Sequence, residues 1–121
     1  MAAPNIVNVA TITGRALGAA LTTSSADILT NSAASGKVFK VNSLRIANVN
    51  GTLSADVTVG FYDASAAATY RLAYTITVPA KSTLVVLSKD TFIYLEEGDK
   101  ISAQASVNSY LEIVIGYEEI S

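Results

Sequence analysis

Ala55-Asp56-Val57-Thr58-Val59-Gly60-Phe61-Tyr62 sets Ala, Val, Val and Phe against Asp, Thr, Gly and Tyr, one after another. Side chains alternate across a strand with a period of two, so this spacing predicts a half-buried β-strand with one wet face. The next run repeats the pattern, with Tyr70, Leu72, Tyr74, Ile76 and Val78 in one phase and Arg71, Ala73, Thr75 and Thr77 in the other. Between the two runs, the small residues Ala64 to Ala68 read as a loop tip. These two strands are expected to be neighbours.

Working outward, Asn50-Gly51 tolerates positive φ and suits a tight hairpin turn, which would pair the strands around Ile46 and Val57. Further upstream, Phe39 and Val41 hold one phase while Leu44 and Ile46 hold the other. The slip near Asn42-Ser43 predicts a β-bulge. Downstream, Pro79 to Ser82 breaks the pattern before Leu84-Val85-Val86-Leu87, a run short and apolar enough to be covered on both faces. Phe92 to Leu95 then leads into the polar turn Glu96-Glu97-Gly98-Asp99. Two strands finish the chain, one with Ile101, Ala103, Ala105 and Val107 inward and one with Leu111, Ile113, Ile115 and Tyr117, joined by an expected hairpin at Asn108-Ser109. Gly14 to Ala34 has no strong period and reads as a weak strand, an edge or an extended arm.

About eight strands in 121 residues define one all-β domain, residues 1–121, in which residues 1–8 form a candidate N-terminal arm. The expected fold is a single antiparallel β-sandwich, jelly-roll or immunoglobulin-like; periodicity does not choose between those topologies. A chain of this length buries enough surface for a core without staples. Half of its residues are hydrophobic and 15% are charged, which leans towards an oligomer or a packed assembly.

The same composition narrows the chemistry. There is no histidine and no cysteine, which removes the commonest general base near neutral pH, the usual serine and cysteine triads, thiolate zinc sites and disulfides. Lys and Arg are scattered singly and the net charge is −2, so no nucleic-acid footprint is expected. No apolar run reaches the ~20 residues of a membrane-spanning helix, and Met1 to Ile12 lacks the charged start of a signal peptide. Gly14 and Gly18 are not followed by the Gly-Lys-Ser/Thr of a phosphate loop. Carboxylate chemistry would have to use Glu96, Glu97, Asp99, Glu112, Glu118 or Glu119. Solvated turn carboxylates holding a loop in water are the preferred reading of Glu96 and Glu97, with Asp99 bonding backbone amides. A cation at the Glu96–Asp99 turn would lack the EF-hand spacing. No enzyme activity, cofactor or metal is expected.

What remains is surface. Six tyrosines and three phenylalanines are the whole aromatic set, with no tryptophan. Tyr62, Tyr70 and Tyr74 are expected close together, as cross-strand packing in preference to a binding face for a glycan or partner. Tyr110 and Tyr117 are expected on opposite faces of the last strand, so that at most one is core. The segment Ala2 to Asn8 carries Pro4, Asn5, Ile6 and Val7, and reads equally as a first strand of its own sandwich or as an arm that adds a strand to a neighbouring subunit. Pro4, Asn5, Ile6, Val7, Tyr62, Tyr70 and Tyr74 are therefore the candidate assembly interface.

Ile93-Tyr94-Leu95-Glu96-Glu97-Gly98-Asp99-Lys100-Ile101, the ending Tyr117-Glu118-Glu119-Ile120-Ser121 and the opening Ala2-Ala3-Pro4-Asn5-Ile6-Val7-Asn8-Val9 resemble small virion structural proteins of tailed bacteriophages, particularly of aquatic phages. The resemblance implies a β-sandwich carried on the virion after assembly in the host cytoplasm. It implies a capsid decoration or cement protein that binds and stabilises neighbouring major capsid subunits, commonly as a homo-oligomer with the trimer favoured. The alternative is a tail, fibre or neck module contacting a host glycan or adaptor protein. No functional residue carries over, because the matching segments are scaffold and turn.

Overall fold

A computed structural model describes residues 10–121. The strands are β1 (Ile12–Ala20), β2 (Ala26–Thr30), β3 (Val38–Asn48), β4 (Ala55–Asp63), β5 (Ala68–Val78), β6 (Thr83–Leu87), β7 (Ile93–Leu95), β8 (Lys100–Ala105) and β9 (Leu111–Ile120), with one 3-10 turn at Lys89–Thr91. They form two antiparallel sheets in the orders β1-β9-β3-β6 and β2-β8-β4-β5, and β7 adds to β3 in the first. The chain is thus an all-β sandwich of nine strands.

The pairing is nested: β1 with β9, β2 with β8, β3 with β6 and β4 with β5. That is a long hairpin folded over on itself, the jelly-roll arrangement, and it decides between the two expected topologies. It also overturns two expected hairpins. β3 and β4 lie in different sheets, so the Asn50-Gly51 segment is a crossover between layers. Gly51 does not adopt positive φ; instead the side-chain oxygen of Asn50 accepts from the amides of Thr52 and Leu53 at 2.9 and 2.7 Å, a turn built by the Asn side chain itself. β8 and β9 are likewise in different sheets. Their connection at Asn108-Ser109 is fastened to the loop between β1 and β2, with Asn108 accepting from the Thr23 amide at 2.8 Å.

Leu44, Ile46, Ile113 and Ile115 from the first sheet meet Val57, Val59, Ile101 and Ala103 from the second, all buried. The register of β3 on β9 shifts between Val41 and Ser43. This bulge lets Phe39 and Val41 point inward together with Leu44 and Ile46, as the change of phase predicted. Leu84-Val85-Val86-Leu87 is not covered on both faces: β6 is the last strand of its sheet and Val85 is 55% exposed. The weakly patterned Gly14–Ala34 region supplies β1 and β2, the edge strands on the opposite side of the sandwich.

Buried polar side chains join the layers. Asn48, at the end of β3, donates to the carbonyl of Val78 at the end of β5 at 2.9 Å and to that of Leu53 at 3.1 Å. Asn31 donates to the carbonyls of Lys37 and Leu95 at 2.9 and 3.0 Å. With these bonds made, no buried side-chain polar atom among the described residues lacks a partner, which is the condition for burying such groups without a large penalty.

Candidate functional site

The acidic turn is structural in the structure as well, but by a different division of labour from the one expected. Asp99 is 2% exposed, and its two oxygens accept from the amides of Ala64 and Glu96, each at 2.9 Å. Glu97 is half-buried and accepts from the Gly36 amide at 2.9 Å, so it ties two loops together instead of simply solvating one. Among the described residues, no group of three or more His, Cys, Asp or Glu gathers as a metal site.

A second charged cluster sits where β1, β3 and β9 meet. Glu119 pairs with Arg15 at 2.9 Å and Lys37 at 3.1 Å. Burial pushes its carboxyl up, but the hydrogen bonds and charges of Lys37 and Arg15 outweigh that and hold it below its ordinary value. Tyr117 is raised, by burial first and by the Glu119 charge second. Its ring packs against Phe39, tilted by 38° with centroids 5.2 Å apart. Tyr110 and Tyr117 both pack, half-buried, against the core, so both flank it.

The three tyrosines of the candidate interface are not one cluster. The register of β4 on β5 shifts twice, and Thr58 faces both Tyr74 and Thr75. An extra residue reverses the face of every side chain beyond it, which breaks the single phase expected for Tyr70 to Val78. Tyr70 stands opposite Phe61 and is 58% exposed. Tyr74, 64% exposed, lies on the outer face of the second sheet. Tyr62, on the same outer face, holds the Lys100 ammonium 5.1 Å from its ring centre. Tyr74 is thus not packed across the strands with the other two, and Tyr70, although opposite Phe61, keeps more than half of its surface exposed. Pro4, Asn5, Ile6 and Val7 lie outside the described residues.

Two surfaces remain available. The first is the side of the sandwich closed by β5 and β6, whose outer edges are unpaired among the described residues. Leu72, Leu84 and Val86 are only partly buried there, while Ile76 and Val85 are exposed. β6, Thr83-Leu84-Val85-Val86-Leu87, has no charge and no proline, the devices that normally blunt an edge. In the register of the sheet Val85 is followed by Arg45, the exposed Val114 and Gly18, so the edge adjoins an outer face on which valine, alanine and glycine alternate with the exposed charges of Arg45 and Glu112. The sequence signal for this surface was present in the uncharged run; what it lacked was the position of the strand in the sheet.

The second is a shallow trough on the outer face of the β2-β8-β4-β5 sheet. It comprises two adjoining depressions of about 370 and 250 Å3 that share Thr58, Arg71 and Gln104. Gly60 forms part of its floor because Thr69 and Ser102 lean over it: an added Cβ would meet their side chains at 2.9 and 3.0 Å. Sequence reading passed over Asp56, Arg71 and Gln104, which look like ordinary wet-face residues until the sheet assembles them.

No helix among the described residues is long and apolar enough to cross a membrane. No protein-family model matches the chain, and no curated protein matches it significantly. Among solved structures, the chain is similar to one from Bacillus endospore appendages, described as forming a novel family of disulfide-linked pili: TM-score 0.55 and 15% identity, over 92% of this chain and 87% of that one. At that identity the likeness establishes a shared β-sandwich fold.

Proposed function

We propose that this protein is a non-enzymatic structural subunit that assembles through its exposed sheet edge, and that the particle is a phage virion in which it cements neighbouring major capsid subunits as a homo-oligomer, the trimer favoured. The observation that carries the reading is the open β6 edge. An uncharged apolar strand with a free backbone row that carries the exposed Val85 is a surface that a monomer would ordinarily protect and an assembly covers. Virion placement is supported by the resemblance of both chain ends to small phage structural proteins.

A pilus-like appendage subunit is the second reading, favoured by the fold shared with the endospore appendage chain. This chain has no cysteine, so an appendage built from it would be held without disulfides.

The test is assembly of purified protein, measured by light scattering after size exclusion and by binding to capsid shells that lack it. Wild type should oligomerise and bind shells, burying on the order of 1,200 Å2 or more per contact. Val85→Lys should stay monomeric with an unchanged melting temperature. A wild-type monomer that ignores the shells overturns the cement reading, and filaments in place of shell binding select the appendage.

A further inference from the structure

The trough on the outer face of the second sheet combines three features that assembly through β6 does not use. The first is backbone strain. Thr75 has φ 46°, the left-handed region that a β-branched residue enters only when its surroundings force it. Its amide donates to the Thr58 hydroxyl at 3.1 Å, and the bulge it forms places Tyr74 against the trough. Bulges re-aim side chains at sites, and strain of this kind gathers where a geometry is needed for something other than stability.

The second is unused polar capacity. Asp56 accepts from the Thr77 hydroxyl at 2.8 Å through one carboxylate oxygen, and its other oxygen has no side-chain partner among the described residues. Gln104 spends its amide nitrogen on the Thr23 carbonyl at 2.7 Å, and its oxygen has no partner among the described residues. Arg71 makes no ion pair among the described residues; its guanidinium has only a long 3.4 Å bond to the Thr69 carbonyl and lies 5.8 Å from the Tyr74 ring centre. The third is the ring itself, which stays 64% exposed although the Arg71 guanidinium sits over it.

These features select a ligand class. A carboxylate and a planar guanidinium in one trough recognise groups that both donate and accept, and the hydroxyls of a sugar do both. The C–H face of a pyranose matches an aromatic ring, and an open trough leaves its remaining hydroxyls in water. One negative and one positive side chain cancel, which disfavours phosphate backbones and acidic sugars. An extended peptide is disfavoured over the trough floor: β4 and β8 are paired on both sides there, so only the rim strand β5 has a free backbone row. The combined space falls in the size range of roughly 300–1,000 Å3 for small-molecule sites.

We infer that this trough is a binding site for a neutral saccharide of one or two pyranose units, with Tyr74 as the stacking platform, Asp56 and Gln104 accepting from hydroxyls and Arg71 donating to ring or hydroxyl oxygens. The site lies wholly within one chain and does not depend on how copies assemble.

The experiment is an amide chemical-shift titration of the full chain with lactose, maltose and diacetylchitobiose at millimolar concentration, and with sialyllactose as the acidic comparison. At least one neutral disaccharide should give saturable shifts at Asp56, Thr58, Tyr74 and Gln104. Tyr74→Ala, a change at an exposed side chain, should weaken that binding about tenfold or more, and Asp56→Asn should weaken it in a chain with an unchanged spectrum elsewhere. No saturable shift with any neutral probe overturns the inference. So do shifts centred away from the trough, tighter binding of sialyllactose, or binding unaffected by both substitutions.

Discussion

Asn31 and Asp99, far apart in sequence and both buried, are joined through their backbones: the Asn31 amide donates to the Asp99 carbonyl at 3.0 Å, and the Gly98 amide donates to the Asn31 carbonyl at 2.7 Å. Their side chains extend the junction to Lys37, Leu95, Ala64 and Glu96. One end of the sandwich is therefore held by polar bonds inside a protein envelope, where each is costly to leave unmade.

Removing the acceptor should show that cost. Asp99→Ala leaves the Ala64 and Glu96 amides without their partner and is expected to lose about 3 kcal/mol of stability, while Asp99→Asn, which keeps one acceptor oxygen, should lose less. Urea denaturation of the three proteins measures the order. Equal stability of Asp99→Ala and wild type would show that water replaces both bonds.

Gly98 makes a separate prediction on the same turn. Its φ is +90°, and an added Cβ would lie 2.9 Å from the Ala64 Cβ. Gly98→Ala is expected to cost about 2 kcal/mol, part from the backbone conformation and part from the collision. Adding Ala64→Gly should restore only the collision part, so a thermal-melt cycle of the four proteins separates the two.

The Glu119 cluster should appear in the pH dependence of stability. The folded carboxyl is held below its ordinary value of 4.5, so its contribution is complete above that value and is lost as pH falls through the lower folded value. Arg15 and Lys37 are substantially exposed, which limits the effect to about 1 kcal/mol. Glu119→Gln should be less stable than wild type at neutral pH and converge on it in acid. A constant difference at every pH would assign the loss to packing.

Strand existence was legible from local pattern: β4, the presence of β5, their turn, the bulge in β3, and the inward Ile101, Ala103 and Ala105 of β8 and Leu111, Ile113 and Ile115 of β9 were written in alternation. Val107, expected inward with them, lies past the end of β8 and outside the core. Partnership was not. Asn50-Gly51 and Asn108-Ser109 are good turn sequences, yet each serves a passage between sheets, because two layers separated by a core need crossings as much as each sheet needs hairpins. The surfaces fared similarly. The uncharged β6 run was visible but its place at an edge was not, and Asp56, Arg71 and Gln104 gained significance only as neighbours across three strands.

The sequence by itself determined the class: an all-β chain without histidine or cysteine, whose period-two patterning supplies one buried face per strand. Only the tertiary structure decided the jelly-roll order, the reversal that carries Tyr74 to the outer face, and the burial of Asp99. The physical reason is that alternation is a property of neighbours along the chain, whereas pairing, bulge register and the desolvation of a polar side chain are fixed by residues dozens of positions away.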